Sequence, residues 1–218
     1  IAERGLAKHV QHEHKVRSAE WSSDSSTWTV TTDHGGKTEQ FCCNFLMMCS
    51  GYYNYDTPYT PDFQGQENFQ GTVIHPQHWP KDLDYKGKKV VVIGSGATAM
   101  TLVPAMADEA ASVTMLQRSP TYVVSRPDQD KIANTLRKLL PDSIAYALTR
   151  FKNTQLQHFM YQRMRKQPLK MKKGLIGLVR EALGPDYDVD KHFTPKYNPW
   201  DQRLCLIPNG DLFASIKN

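Results

Sequence analysis

The sequence predicts an α/β fold in which a β-meander, a connecting segment and a βαβ unit with a helical insertion follow one another. Residues 14–48 contain three short runs of strand-forming residues separated by turn residues. Residues 90–93 are a β-branched run that leads into a glycine-rich turn. Residues 131–184 show apolar positions at spacings near three and four, which is typical of helices.

The first fifty residues predict three strands, at His14–Trp21, Thr27–Thr32 and Gln40–Met48. The run from Trp28 alternates between apolar and polar residues, as a half-exposed strand does. In contrast, Phe45–Cys49 is apolar throughout, which is typical of a strand buried on both faces.

A connecting segment at residues 54–85 begins with a stretch rich in Pro, Asp and Gln. It ends with a pattern that matches F-x-G-x-x-x-H-x-x-x-W-P and is carried by Phe69, Gly71, His75, Trp79 and Pro80. Loops between domains often carry functional residues. A lone histidine such as His75 is nevertheless more often structural than catalytic.

The glycine-rich turn reads Gly94-Ser95-Gly96-Ala97-Thr98-Ala99 and matches G-x-G-x-x-A. Gly94 permits a tight turn, Gly96 lets the backbone approach a pyrophosphate, and Ala99 takes the small position where helix packs on strand. The strand before the turn, Val90–Ile93, suits a buried parallel strand.

The residues after the turn supply the context that the motif needs. We expect a helix from Thr98 to about Ala111, kinked at Pro104, whose N-terminal N–H groups point at phosphates. A second strand follows at Ser112–Leu116. The pattern therefore predicts a Rossmann-like dinucleotide site. A nucleotide-free βαβ unit and a methyltransferase turn remain alternatives.

The end of the second strand indicates which dinucleotide binds. An NAD site usually places Asp or Glu about 20 residues after the glycines. Here the sequence reads Gln117-Arg118-Ser119-Pro120, without a carboxylate. Arg118 can pair with a 2′-phosphate and Ser119 can donate a further hydrogen bond, which favours NADP. A solvated arginine at the strand end is the alternative.

The histidine pattern, followed within about fifteen residues by the glycine turn, resembles the class B flavin-dependent monooxygenases, the Baeyer–Villiger and flavin-containing monooxygenase group. Residues 192–205 are similar to the ethionamide-activating branch of that group. The resemblance implies FAD and NADP as cofactors, and a protein with two dinucleotide-binding domains that is roughly twice this length. We therefore expect the chain to be an internal fragment.

Several roles are implied by this resemblance alone. Arg203 takes the place of the family's active-site arginine beside the flavin, and Gln202 stands where many relatives have a lysine that helps hold NADPH. Val16, Gly51 and Tyr52 would lie near FAD. Phe69, Gly71, His75 and Trp79 would form an interdomain hinge, with His75 as a hinge element and not a proton-transfer group.

The resemblance also implies the domain limits. Residues 1–53 would be the C-terminal part of the first FAD-binding segment and residues 54–85 the linker. Residues 86–218 would be the NADP-binding domain, with a helical insertion at about 131–184 and a truncated C-terminus.

The expected function is an FAD- and NADPH-dependent monooxygenase. It would insert one oxygen atom from O2 into a ketone, or place it on a soft sulfur or nitrogen, through a flavin peroxide. One alternative is an NADP-dependent flavoprotein reductase, although no cysteine pair has the spacing of a redox disulfide. The other, for the fragment alone, is a non-catalytic NADP-binding module.

The charge distribution and the cysteines indicate which surfaces the protein contacts and which compartment it occupies. The chain of 218 residues carries a net charge of +5, but residues 131–180 hold twelve Lys or Arg and one acid, Asp142. This segment suggests peripheral contact with an acidic membrane surface, and a solvated helical face is the alternative.

Cys42, Cys43, Cys49 and Cys205 lack metal-ligand spacing, so we expect reduced, buried cysteines in a cytoplasmic protein, without a metal. Small organic molecules and O2 are the expected partners and nucleic acid is not; the oligomeric state stays open.

Overall fold

The structure is a computed structural model that describes residues 5–218. The described residues fall into two units, one up to Thr72 and the other Val73–Asn218. The first unit is built on a three-stranded antiparallel meander in the order β1-β2-β3. Its strands are β1 (Lys15–Ser22), β2 (Thr27–His34) and β3 (Lys37–Cys43).

The central strand β2 carries the buried side chains of this sheet. Val30 and Thr32 point to the same face, as residues two apart on a strand must, and both are buried. The register between β1 and β2 shifts between Val16 and Ser18, which bends the start of β1. The predicted meander is therefore present.

The prediction for the third strand was wrong at its C-terminal half. Strand β3 begins at Lys37 and ends at Cys43, whereas Phe45–Cys49 has no strand structure. Phe45 and Met47 are 76% and 70% exposed. An apolar run is buried only where another layer covers it, and no strand or helix described in the first unit covers this one.

The expectation of buried cysteines was also wrong for most of them. All four are free thiols, but only Cys205 is buried; Cys43 is half-buried, and Cys42 and Cys49 are exposed. Cys42 lies near the end of the edge strand β3, where one side of the chain has no neighbouring strand in residues 5–218.

The second unit begins with the predicted βαβ element. Strand β4 (Lys89–Ile93) pairs in parallel with β5 (Ser112–Leu116), and α1 (Ala97–Ala107) connects them. The helix ends four residues before the predicted Ala111, because the N–H of Ala111 bonds instead to the carbonyl of Lys88 at 2.9 Å and leads the chain into β5. Pro104 lies inside the helix.

Strand β4 is not buried on both faces as predicted. Val91 and Ile93 are 60% and 61% exposed, whereas Val92 packs against the core. Burial therefore alternates along the strand, because α1 covers only one face of the two-stranded β4–β5 sheet within the described residues.

A second parallel pair joins β6 (Tyr122–Arg126) to β7 (Leu204–Pro208), with Tyr122 opposite Leu204. The long connection between them carries α2 (Lys131–Leu139), α3 (Asp142–Lys166), α4 (Pro168–Leu183) and α5 (Val189–Phe193), and α6 (Asp211–Lys217) follows β7. The predicted helices of the insertion correspond to α2, α3 and α4. The sequence did not predict β6, β7, α5 or α6.

Proline residues separate the helices of the insertion. Pro141 is the N-cap of α3, and Pro168 occupies the first turn of α4, where a missing N–H costs no hydrogen bond. None of the helices in residues 5–218 combines the length and the apolar character that a membrane crossing needs.

The core of the second unit lies where α1, α4, α6, β6 and β7 meet. Its buried members include Met100, Val103, Val123, Val179, Ile207 and Leu212. Val92 of β4 and Met115 of β5 pack against it. Helix α1 therefore packs between the two parallel strand pairs, and this packing fixes the position of the glycine turn at its N-terminus.

Candidate functional site

The glycine turn follows β4 directly and is tied to the end of β5. Gly94 has a φ of 134°, a conformation that side-chain-bearing residues rarely adopt, and its N–H donates to the carbonyl of Leu116 at 2.8 Å. The Ser95 hydroxyl donates to the carbonyl of Ser119 at 3.4 Å. The two segments predicted to bind the dinucleotide, Gly94–Ala99 and Arg118–Ser119, therefore lie side by side.

The first turn of α1 presents backbone donors. Gly96 is its N-cap, and the first helical hydrogen bond joins the N–H of Met100 to the carbonyl of Gly96 at 3.0 Å. The N–H groups of Ala97, Thr98 and Ala99 precede that bond and have no acceptor within the helix. No side chain of residues 5–218 caps them. Ala99 is buried, as expected for the small position of the motif.

Arg203, which directly precedes β7, reaches this turn. A Cβ atom added at Gly96 would lie 2.8 Å from Nη1 of Arg203. Real Cβ contacts are essentially never that short, so the guanidinium can occupy this place only because residue 96 is glycine. The structure thus brings together Gly96 and Arg203, which the sequence had assigned to separate roles.

The backbone of Arg203 is held by two hydroxyl groups. The Tyr197 hydroxyl donates to the carbonyl of Arg203 at 2.7 Å, and the Thr121 hydroxyl lies 3.2 Å from the same carbonyl. The two hydroxyl oxygens are 2.8 Å apart. The Tyr122 hydroxyl donates to the carbonyl of Tyr197 at 2.6 Å. Thr121 and Tyr122 are buried, 3% and 2% exposed, whereas Tyr197 is half-buried and its bond to Arg203 lies at the surface.

Burial raises the pKa of two groups close to Arg203. The pKa of Tyr122 is raised to about 12, first because its hydroxyl is desolvated and then because of Tyr197 and Asp201 nearby. Burial also raises the pKa of the Cys205 thiol, against the smaller opposing influence of Arg203 and Thr121. Arg203 therefore stands beside neutral hydrogen-bonding groups at neutral pH.

The end of β5 presents the predicted NADP-selecting residues. Arg118 and Ser119 are exposed. Gln117, between them and the strand, donates from its Nε2 to the carbonyl of His192 at 2.7 Å. That bond fastens the end of β5 to α5.

The predicted FAD contacts lie in the first unit. Val16 is 55% exposed at the bulge of β1, Gly51 has a φ of 72°, and Tyr52 is 88% exposed. An ion pair of 3.7 Å between Lys15 and Asp56 connects the start of β1 with the segment that follows Gly51.

The histidine pattern has a local structural basis. A Cβ atom at Gly71 would lie 2.5 Å from the ring of Phe69, so the ring can fold over residue 71 only because it is glycine. His75 caps the short 3₁₀ helix Pro76–His78, where its Nδ1 accepts from the N–H of Gln77 at 3.2 Å. Trp79 ends that helix and is 38% exposed. The hinge role of these residues stays a prediction.

Comparison with known proteins decides the family. The family described as flavin-binding monooxygenase-like matches residues 1–178. The chain belongs to this family. The resemblance predicted from the histidine pattern and the glycine turn is thereby confirmed for the flavin-binding monooxygenase-like family as a whole.

Curated relatives agree with that membership. The FAD-containing monooxygenase EthA of Mycobacterium tuberculosis strain H37Rv is 54% identical over 215 residues, which are 98% of this chain and 44% of that protein. EthA of Mycolicibacterium smegmatis is 50% identical over 216 residues, 99% of this chain and 44% of that protein. The chain therefore spans less than half the length of the curated relatives it matches.

A solved structure shows the same fold. The structure of OTEMO in complex with FAD and NADP matches 99% of this chain and 48% of its own, with a TM-score of 0.67 and 17% identity. At that identity the likeness concerns the fold. The predicted α/β architecture, with a Rossmann-like domain after a meander, is confirmed for this flavin-binding monooxygenase-like chain.

Two neighbours of Arg203 were not predicted from the sequence. Tyr197 lies in the stretch that resembles the ethionamide-activating branch, and Thr121 follows Gln117–Pro120, yet nothing in their spacing indicates a shared partner. The parallel register of β6 and β7 sets Thr121 beside Arg203, and Tyr197 reaches the same carbonyl from the loop after α5.

Proposed function

We propose that the chain forms part of an FAD- and NADPH-dependent monooxygenase that transfers one oxygen atom from O2 to a small organic substrate. The substrate would be a ketone, oxidised to an ester or lactone, or a soft sulfur or nitrogen compound. Family membership supports the proposal, as do relatives named FAD-containing monooxygenases and a solved neighbour that holds FAD and NADP.

The observation that carries the proposal is the meeting of Arg203 with the N-terminus of α1. The amino end of a helix bears a partial positive charge, and a guanidinium close to it is repelled unless an anion lies between or beside them. The uncapped N–H groups of Ala97, Thr98 and Ala99 offer donors to the same anion. A diphosphate fits this arrangement, since its charge and its oxygens satisfy both groups.

On this proposal Arg118 and Ser119 recognise the 2′-phosphate of NADPH. Both side chains are exposed, and no carboxylate follows β5 to bind a free ribose hydroxyl. With Gln202 in place of the lysine of many relatives, Arg118 carries more of the cofactor's binding energy.

The remaining assignments are part of the same proposal. Residues 1–53 belong to the first FAD-binding segment, with Val16, Gly51 and Tyr52 near FAD. Residues 54–85 are the linker, and Phe69, Gly71, His75 and Trp79 form its hinge. Residues 86–218 belong to the NADP-binding domain, with the insertion at about 131–184.

NADPH and FAD would supply the hydride transfer and the activation of oxygen. The protein's part is to place a permanent positive charge where negative charge develops. Arg203 suits this role because a guanidinium stays protonated at any working pH and offers several donors in a fixed plane. A donor that is already in position costs no reorganisation during the reaction.

The basic insertion supports a further proposal, peripheral membrane contact by a cytoplasmic protein. Residues 131–180 carry twelve Lys or Arg against one acid. Exposed apolar side chains stand among them on α3, for example Phe151 and Phe159, 67% and 54% exposed. Cations with interspersed aromatic residues are what an anionic lipid surface binds.

The decisive experiment follows oxygen from ¹⁸O2 into the product of the complete enzyme, with NADPH and a panel of ketones and thioethers. A monooxygenase yields product that contains one labelled atom for each NADPH consumed. A flavoprotein reductase would consume NADPH without labelled product, and a binding module would consume none.

A further inference from the structure

We infer that Tyr197 and Thr121 are positioning residues that hold Arg203 against the glycine turn. The inference rests on the function proposed above, in which Arg203 acts on the bound dinucleotide. It assigns a role to two hydroxyl groups that bind no ligand themselves and act through the backbone of another residue.

The register of β6 and β7 creates the contact. Tyr122 lies opposite Leu204, so the residues before them, Thr121 and Arg203, are neighbours at the same end of the strand pair. Tyr197 comes from the loop after α5 and inserts its hydroxyl between them. Three separate stretches of chain thus meet at one carbonyl oxygen, the last group of the backbone before β7 begins.

The number of hydroxyl protons limits which of these hydrogen bonds can form at the same time. Each hydroxyl has one proton to donate. The distance from Tyr197 Oη to the Arg203 carbonyl, 2.7 Å, is shorter than that from Thr121 Oγ1, 3.2 Å. Tyr197 therefore donates to the carbonyl, while the single proton of Thr121 can go to the same carbonyl at 3.2 Å or to Tyr197 Oη at 2.8 Å. Hydrogen bonds that share atoms in this way polarise and strengthen one another.

The chain of hydrogen bonds is anchored in the core. The buried hydroxyl of Tyr122 donates to the backbone carbonyl of Tyr197, and the two rings meet edge to face at 5.3 Å and 89°. Tyr122 packs with Met164 and Leu175. The position of Tyr197 is therefore set by packed side chains, and it transmits that position to Arg203.

This support matters because the side chain of Arg203 is long and exposed. A free arginine samples many rotamers, and ordering it on a ligand costs conformational entropy. The hydrogen bonds to the carbonyl do not fix the guanidinium, but they fix the backbone position of Arg203. The rotamers of the side chain then place the guanidinium close to Gly96.

The test is a double-mutant cycle on the complete enzyme, read as the Kd of NADP⁺ by calorimetry. Tyr197→Phe keeps the ring and removes the hydroxyl, and we expect affinity to fall roughly 3- to 10-fold, the equivalent of one hydrogen bond. In an Arg203→Ala background the same substitution should change the Kd little, because Tyr197 acts through Arg203.

Matched variants separate positioning from general stability. Tyr187→Phe removes the hydroxyl of another half-buried tyrosine, one whose ring packs on His192 and Phe193, and should leave the Kd unchanged. Thr121→Ser keeps the donor and should bind as the parent does, whereas Thr121→Val should weaken binding as Tyr197→Phe does.

Each result decides the inference. Unchanged affinity in Tyr197→Phe would overturn it and leave the proposed function standing. An equal loss with and without Arg203 would also overturn it, since the hydroxyl would then support the fold. A parent enzyme that binds no NADP⁺ and oxygenates nothing would overturn the proposed function, and this inference with it.

Discussion

Gly94 and Gly96 are two residues apart in one turn and require glycine for different reasons. Gly94 has a φ of 134°, so any side chain there strains the backbone. Gly96 has an ordinary φ of −81°, and a side chain there meets only the mobile end of Arg203, at 2.8 Å. One position is constrained by conformation and the other by the space above it.

We therefore expect alanine to have different effects at the two positions. Gly94→Ala should lower the free energy of unfolding by about 1–3 kcal/mol, the usual cost of a strained backbone. Gly96→Ala should leave stability near that of the parent and weaken NADP⁺ binding, because the methyl group displaces Arg203 from the glycine turn. Urea unfolding and calorimetry measure the two effects. Equal destabilisation by both variants would contradict the distinction.

Arg203→Ala should spare the fold and impair oxygenation. The side chain is exposed, while the carbonyl that carries the hydrogen bonds is retained in alanine. Loss of one preorganised donor typically lowers a rate by about 10²- to 10³-fold. Product formation per NADPH, with the hydrogen peroxide released in its place, is the measurement. Turnover within a few-fold of the parent would show that Arg203 is not catalytic.

Arg118→Ala tests cofactor selection. If Arg118 pairs with the 2′-phosphate, its loss should weaken NADPH binding roughly 10- to 100-fold and NADH binding little, because only NADPH carries that phosphate. Comparing the KM values for the two cofactors in parent and variant gives the answer. A parallel loss for both would mean that Arg118 supports the end of β5.

At the scale of elements, Asp130 joins two helices of the insertion. Its Oδ1 accepts from the N–H of Ala133 at the start of α2, and its Oδ2 pairs with Lys152 of α3 at 2.5 Å. The bond to Lys152, followed by that to Ala133, lowers the pKa of this carboxyl to about 2 from its usual 3.8. One side chain thus caps one helix and fastens the next.

Asp130→Asn should therefore destabilise the insertion in a pH-dependent way. Because the folded-state pKa is depressed, the carboxylate stabilises the fold at pH values above about 4 and loses that effect as the pH falls toward 2. The variant should unfold earlier than the parent at pH 7, and the gap should narrow in acid. Thermal melts across this range test it, with Asp128→Asn, a nearby exposed aspartate, as control.

The sequence predicted elements well where the signal was local. Strand β5 was predicted residue for residue at Ser112–Leu116, directly after the predicted helix of the βαβ unit. Strands β6 and β7 were missed because neither follows a recognisable motif and each pairs with a strand about 80 residues away in sequence. Phe45–Cys49 was taken for a buried strand because composition reports how apolar a segment is and not what covers it.

The same limit applies to the candidate site. The glycine turn and Arg203 could each be found from motifs. Their contact could not, since it depends on how the second parallel pair packs beside α1. The hydroxyls of Thr121 and Tyr197 carried no signal at all, because a hydrogen bond to a distant backbone carbonyl leaves no periodic trace in a sequence.

On the scale of the whole molecule, charge is the most uneven property. Residues 131–180 carry a net charge of +11, so the rest of the chain is near −6. Exposed aromatic rings accompany the cations, and the guanidinium of Arg163 lies over the ring of Phe159 at 5.3 Å. A surface of this kind attracts anions over about a Debye length.

We expect the protein to sediment with anionic lipid vesicles at low salt and to be released as salt rises, because screening removes the attraction. Neutral phosphatidylcholine vesicles should not retain it. Replacing the exposed Lys170 and Lys173 by Glu should weaken the binding without unfolding α4. Failure to bind anionic vesicles even at low salt would end the idea of a membrane surface.

The parallel pair β6–β7 also dictates an order of assembly. Thr121 and Arg203 meet across 82 positions of sequence, whereas α2, α3 and α4 contact one another locally. Distant parallel strands pair slowly, since a long loop must close before any contact is gained. During synthesis, the helices can form before β7 has left the ribosome. Until then the apolar strand β6 lacks its partner strand. The hydroxyl contacts beneath Arg203 are therefore among the last parts of the chain to form, and β6 is the stretch that a nascent chain must keep from aggregating.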